Sequence, residues 1–217
     1  MTCKSYTGRA NINIYHGDCM EFMKNKPAKS YDLAICDPPY GLGTKTTDGG
    51  TNKNSQTKFM KDIRRTNWDN NMPNLAYFEL LKQKSKEYII WGGNYMCDMI
   101  GKTKCLIIWD KMTYITTMSQ YEFAFTSFTN HSKMIKFNST DNERQHPTQK
   151  PVALYKWLLT NYAKQGDKIL DTHGGSMSIA IACWDLGYDL DIIELDKDYY
   201  DKAVQRFERH INQKQIF

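Results

Sequence analysis

No apolar run in this 217-residue chain approaches the ~20 residues a bilayer-spanning helix requires, which excludes a membrane-spanning helical protein. The opening residues, Met1-Thr2-Cys3-Lys4-Ser5-Tyr6, contain no apolar signal core, so secretion is not expected. Six cysteines, at positions 3, 19, 36, 97, 105 and 183, form no CxxC pair and no regular framework. That argues against a zinc site or a disulfide scaffold and for reduced thiols in a cytoplasm. The five histidines show no HxxxH or similar spacing, so no metal is predicted. Repeats and low-complexity tracts are missing as well. With 41% hydrophobic and 24% charged residues, neither disorder nor a collagen-like fibre fits. What remains is enough chain for one α/β domain with a real core and too little for two full-sized ones. The 29 Lys and Arg against 24 Asp and Glu leave a charge of +5, compatible with a polyanionic partner.

Seven short runs read as strands: 12–15, 32–36, 88–91, 105–109, 121–125, 168–171 and 190–193. Most are apolar and rich in β-branched or aromatic residues, as buried strands of an α/β sheet should be. Helices are predicted between them at 18–26, 74–86, 93–100, 151–164, 176–186 and 197–213. The helix at 151–164 opens with Pro151 in its first turn and repeats Leu154, Trp157 and Leu158 at i, i+3, i+4. Strands alternating with helices predict a mostly parallel sheet covered on both faces.

One stretch breaks this rhythm. From Gly41 to Leu75 there is almost no apolar periodicity, and six basic residues stand against three acidic ones. Structureless segments this long are usually functional lids or disordered. The segment is expected to be a mobile loop whose Lys58, Lys61, Arg64 and Arg65 suit a polyanionic partner, a solvated surface insertion being the alternative.

Asp37-Pro38-Pro39-Tyr40 directly follows the buried strand 32–36, so it lies at that strand's carboxyl end, where open α/β sheets bind ligands. The two prolines fix the backbone and remove two N–H donors. A carboxylate, carbonyl acceptors and an aromatic ring remain, a set that suits a planar base bearing an exocyclic amino group. A second strand-to-helix turn, Asp171-Thr172-His173-Gly174-Gly175-Ser176, places backbone N–H groups and a positive helix end beside a ligand. Glu194 closes the next strand, where an acid binds ribose hydroxyls. Trp91-Gly92-Gly93-Asn94-Tyr95 and Trp109-Asp110-Lys111 also lie just past strand ends. Either could line a base pocket, though core packing is the commoner use of such residues.

Taken with His146-Pro147-Thr148-Gln149-Lys150-Pro151, these segments resemble the motifs of S-adenosylmethionine-dependent DNA amino-methyltransferases. Their order, with D-P-P-Y first and the glycine turn last, is similar to the circularly permuted β group, especially its small phage-type members. The resemblance implies a single Rossmann-like methyltransferase domain spanning 1–217, with about seven strands. Its catalytic half would cover about 11–137 and its cofactor half about 146–217. It implies catalysis by Asp37, Pro38, Pro39 and Tyr40. It also implies S-adenosylmethionine binding by Asp18, Cys19, Asp37, His146, Thr148, Lys150, Asp171, His173, Gly174, Gly175, Ser176 and Glu194.

An aspartate in the first motif position points to adenine N6, since the cytosine-N4 relatives mostly carry serine there. RNA or protein-amide methylation is the enzymatic alternative. A DNA-binding relative that has lost transfer is the other, and Met177 motivates it because the family usually has glycine at that position. Only the segment from Ser127 to Gln145 lies between the last strand of the catalytic half and the H-P-T-Q-K-P motif, so a large recognition domain has no room. Sequence choice then falls to relaxed specificity, to the 41–75 loop, or to a second subunit, whether a homodimer partner or an accessory chain.

Overall fold

Strands that are apolar at nearly every position need cover on both faces, and the alternation of their side chains decides which helix covers which. The computed structural model describes residues 1–42, 72–112, 119–138 and 149–213. Its strands are β1 (Thr2–Thr7), β2 (Asn11–His16), β3 (Tyr31–Cys36), β4 (Ser85–Trp91), β5 (Leu106–Asp110), β6 (Tyr121–Thr126), β7 (Lys133–Lys136), β8 (Lys168–Asp171) and β9 (Asp189–Glu194). Its helices are α1 (Cys19–Lys24), α2 (Leu75–Lys84), α3 (Cys97–Ile100), α4 (Val152–Tyr162), α5 (Ser178–Leu186) and α6 (Lys197–Gln213).

Leu33 and Ile35 of β3 join one core with Ile89, Trp91, Ile169 and Ile192, beneath α4, α5 and α6. Their neighbours Ala34 and Cys36 join the opposite core with Ile90, Leu170 and Ile193, beneath α1 and α2. This period of two along each strand makes a three-layer α/β molecule. Helix α6 binds through Tyr200, Ala203, Val204 and Phe207, an i, i+3, i+4, i+7 stripe.

Among the described residues the sheet has nine strands in the order β1-β2-β9-β8-β3-β4-β6-β5-β7, two more than the sequence predicts. The additional strands are the two outermost. Strand β1 pairs antiparallel with β2 and is exposed at all but one position. Strand β7 is four residues long, pairs with β5 and buries only Ile135. Edge strands lack a second face to bury, so they leave no apolar pattern to read, and Lys4, Lys133 and Lys136 discourage further pairing.

Two helix expectations are also corrected. The predicted helix 93–100 shrinks to α3, because Gly92 has φ +68° and residues 92–95 form a turn. Pro151 stands at the cap of α4 in extended conformation, one residue outside the helix.

From the central β3 and β8 pair the chain winds in opposite directions. The crossover through α2 carries β3 to β4, and the crossover through α5 carries β8 to β9 on the other side. That reversal opens a crevice at the carboxyl ends of β3 and β8. No helix among the described residues is long and apolar enough to cross a membrane.

Candidate active site

Asp37 leaves the end of β3 at this crevice. Its Oδ1 accepts a hydrogen bond from the Tyr40 hydroxyl at 2.6 Å, and its Oδ2 lies 2.6 Å from the Lys150 ammonium. Glu122, which the sequence did not single out, completes the group. Its Oε1 is 2.7 Å from the Tyr40 hydroxyl and 2.5 Å from Lys150 Nζ, and its Oε2 is 2.9 Å from Lys111 Nζ. The Lys150 side chain is 2% exposed. Its Nζ also lies 5.2 Å from the Trp91 ring centroid and 5.9 Å from that of Tyr40.

Two carboxylates and two ammonium groups thus balance in a largely buried cluster. Burial alone would raise Glu122, but Lys150 and Lys111 together hold its carboxyl down at about 2. Burial would lower Lys150, yet Asp37 and Glu122 raise it above the ordinary lysine range. Asp37 stays raised, because burial and the Glu122 charge outweigh the pull of Lys150.

The Tyr40 ring is set by its neighbours. A Cβ on Gly92 would fall 2.2 Å from Tyr40 Cε1, so only glycine lets the ring lie there. Tyr95, partly exposed, runs nearly parallel to Tyr40 at 23° with centroids 5.4 Å apart. Of the two softer candidate segments, both therefore reach the site: 91–95 through Gly92 and Tyr95, and 109–111 through Lys111.

Across the crevice, three loops gather on Glu194. Its Oε2 accepts from the Gly175 N–H at 2.7 Å, its Oε1 from the Asp196 N–H at 2.8 Å, and its main-chain oxygen from the Gly17 N–H at 3.0 Å. Asp18 caps α1, its Oδ1 accepting from the N–H groups of Met20 and Glu21. Burial pushes the neighbouring Cys19 thiol up to about 12. Gly174 is closely packed: a Cβ there would lie 3.1 Å from Ile192 Cγ1 and 3.2 Å from the Ile193 carbonyl oxygen, so these would have to shift by a few tenths of an ångström. Above Gly175 the space is open, with His173 O the nearest atom at 3.9 Å.

Met177 adopts φ +57° and is fully buried, so its side chain turns into the core. A left-handed conformation costs a non-glycine residue roughly 1–2 kcal/mol. His173, pushed down to about 4 by burial, is neutral at pH 7, and its Nδ1 lies 2.9 Å from the Thr172 hydroxyl. Tyr77 joins that chain at 2.6 Å from Thr172 Oγ1.

Asp171, at the end of β8, is 1% exposed and is pushed up to about 8, first by burial and further by Asp37 and Glu194. A carboxyl raised in the folded state takes away stability as pH rises from its unfolded value near 4 to about 8. Asp171→Asn keeps an oxygen for the His173 N–H, which lies 3.0 Å from Asp171 Oδ1. The variant is expected to match the wild type near pH 4 and to exceed it by a few kcal/mol at pH 8. Thermal melts across that range check it, and a gap independent of pH would contradict the assigned ionisation.

The structure therefore brings Asp37, Pro38, Pro39, Tyr40 and Lys150 together on one side of the crevice. Asp18, Cys19, Asp171, His173, Gly174, Gly175, Ser176 and Glu194 lie on the other. Lys150, assigned from sequence to the cofactor, directs its ammonium to Asp37 and Glu122. His146, Thr148, Lys58, Lys61, Arg64 and Arg65 lie outside the described residues, as does most of the 41–75 segment. No group of three or more metal-ligating side chains gathers among the described residues, and all six cysteines are free thiols.

A family model described as DNA methylase matches residues 83–205, more than half of the chain. The chain is 25% identical over 260 residues to the type II methyltransferase M2.MboI of Moraxella bovis, covering 94% of this chain and 93% of that protein. It is 23% identical over 249 residues to the DNA adenine methyltransferase YhdJ of Escherichia coli (strain K12), covering 93% and 84% respectively. Among solved structures, the M1.HpyAVI–SAM complex superposes with a TM-score of 0.61 at 22% identity, over 90% of this chain and 99% of that one.

Proposed function

The chain belongs to the DNA methylase family, and we propose that it transfers the methyl group of S-adenosylmethionine to the exocyclic N6 of an adenine flipped out of DNA. The observation that carries this reading is that Asp37, bonded to Tyr40, follows β3 while the glycine turn and Glu194 stand at the carboxyl ends of β8 and β9, which run parallel to it, on the same edge of the sheet.

The residues fit the cofactor. The Glu194 carboxylate accepts the Gly175 and Asp196 N–H groups, and its roughly four lone-pair sites leave capacity for a ribose hydroxyl. The space above Gly175 is open, and the amino end of α5 has no side-chain cap competing for its N–H groups. When bound, S-adenosylmethionine supplies a methyl group already activated by a sulfonium charge. The chain's own task is then orientation more than acid–base force.

Asp37 and the Pro38 carbonyl accept the hydrogens of the amine, which turns its lone pair away from the ring. The prolines keep competing N–H donors out of the pocket. The Tyr40 ring stacks on the base, offsetting part of the few kcal/mol that flipping costs.

Tritium transfer from labelled S-adenosylmethionine to DNA, RNA and protein tests the reading. Label is expected in DNA alone and, after nuclease digestion, in N6-methyladenine. Label in cytosine, RNA or protein would replace it with one of the alternatives.

The DNA partner also accounts for the basic 41–75 segment. Neutralising Lys58, Lys61, Arg64 and Arg65 together is expected to weaken DNA binding and to flatten its salt dependence, by up to ~0.9 in slope per lost phosphate contact. Cofactor affinity should not move. Equal losses on all sequences would mark phosphate contacts, and a loss confined to one preferred site would mark sequence recognition by this segment. An unchanged salt slope would return it to a solvated insertion.

A further inference from the structure

We propose that Glu122 is a positioning residue for methyl transfer: it holds the phenolic hydrogen of Tyr40 while Asp37 accepts the amine of the target base. The proposal rests on the functional reading above and adds a residue which that reading does not use.

The Tyr40 oxygen lies 2.6 Å from Asp37 Oδ1 and 2.7 Å from Glu122 Oε1, both within O–H···O range. A phenol has one hydrogen, so only one of these two contacts is an O–H···O bond at any moment. Lys150 has three hydrogens, and three oxygens surround its Nζ: Asp37 Oδ2 at 2.6 Å, Glu122 Oε1 at 2.5 Å and Tyr40 Oη at 3.3 Å. The ammonium is therefore committed whichever way the phenol points. The one mobile element is the Tyr40 hydrogen, which swings between two carboxylates by rotation about its C–O bond, with no proton leaving the oxygen.

The two positions differ in consequence. With the hydrogen on Asp37, the oxygen nearest Tyr40 is taken by a donor that competes with an incoming amine. With the hydrogen on Glu122, that oxygen is open to the amine. Glu122 is suited to the second position because Lys111 and Lys150 both hold it as an anion. Its location follows from topology. Strand β6 runs antiparallel to β4 and β5, so its first residues stand at the carboxyl edge of the sheet, with Glu122 beside Trp109.

The test compares single-turnover methyl transfer to DNA in the wild type, Glu122→Gln, Tyr40→Phe and the double variant. S-adenosylmethionine affinity is measured by calorimetry on each. A glutamine keeps the size of the side chain but offers one oxygen to two ammonium groups and holds the phenol weakly. Glu122→Gln is expected to slow transfer about tenfold in the wild-type background. In the Tyr40→Phe background, where no hydrogen needs holding, the loss should be about threefold or less, and cofactor affinity should stay within about threefold throughout.

Equal fold losses in both backgrounds overturn the proposal. So does a wild-type rate in Glu122→Gln, or a loss that appears in cofactor affinity instead. Glu122→Asp, which keeps the charge but draws the oxygen back from Tyr40, must show the same dependence on the Tyr40 hydroxyl if the glutamine variant does not fold. A wild type that labels no DNA would remove the functional reading and this proposal together. An active wild type with additive losses would remove the proposal alone.

Discussion

Asp37→Ala is expected to abolish methyl transfer while leaving S-adenosylmethionine affinity within a few-fold of wild type. The carboxylate is the acceptor proposed for the target amine, and among the described residues no other carboxylate is offered to the base at the end of β3. The neighbouring Glu122 is committed to Lys150, Lys111 and the Tyr40 hydroxyl. A loss of a thousandfold or more corresponds to about 4 kcal/mol of transition-state stabilisation.

The cofactor side is spared because its ordering contacts run through Glu194, Gly175, Asp196 and Gly17, none of which touches Asp37. The fold is spared as well. Lys150 keeps Glu122 at 2.5 Å, so its ammonium is not stranded, and a carboxyl already raised by burial contributes little to stability at neutral pH. Single-turnover rates and calorimetry on the same preparation separate the two effects. Retention of more than a tenth of the wild-type rate would remove Asp37 from catalysis.

The parts of the molecule that the sequence reveals are those where local pattern and tertiary role agree. Strands 32–36 and 168–171 are buried on both faces, so continuous apolar runs announce them. The D-P-P-Y and glycine segments then follow at the carboxyl ends by chain connectivity alone. Glu194 is found by the same rule, as the first polar residue after an apolar strand.

What stayed hidden has identifiable physical causes. Strands β1 and β7 bury almost nothing, so no periodicity marks them. Glu122 escaped because the rule that ligands gather at strand carboxyl ends assumes parallel strands. An antiparallel strand delivers its first residues to that edge, and nothing local in Tyr121-Glu122-Phe123 shows its direction. A charged residue inside an aromatic-rich strand was the available signal. Lys150 was placed by its motif on the cofactor side. The direction of its ammonium depends on Asp37 and Glu122, which lie far from it in sequence. The turn at 92–95 looked helical because glycine leaves no pattern of its own, and its reason, the Tyr40 ring against Gly92, is a long-range contact.

Lys150→Met is expected to cost about 3–5 kcal/mol of folding stability at pH 8, the usual consequence of removing one partner from a buried ionic group, and much less near pH 5. Methionine fills similar space without charge. It would leave Asp37 and Glu122 facing each other, with the Lys111 ammonium on one Glu122 oxygen. In the wild type, Glu122 is held at about 2, below its ordinary value of 4.5, so it contributes stability that is present above pH 4.5 and lost as pH falls toward 2. In the variant the pull of Lys150 disappears from both carboxyls. Asp37, already raised by burial and by Glu122, moves further up, and Glu122 rises from its depressed position. A carboxyl raised in the folded state loses stability as pH climbs past its unfolded value and regains it on acidification. The stability that Asp171 regains on acidification is common to both proteins, so between pH 8 and 5 the variant recovers more than the wild type does, and their melting temperatures converge. Circular-dichroism melts at intervals across that range measure the convergence directly. A gap that stays constant with pH would mean that Lys150 contributes by packing against Trp91 and Tyr40 instead of by charge, and the ionic cluster at the centre of the proposed site would have to be redrawn.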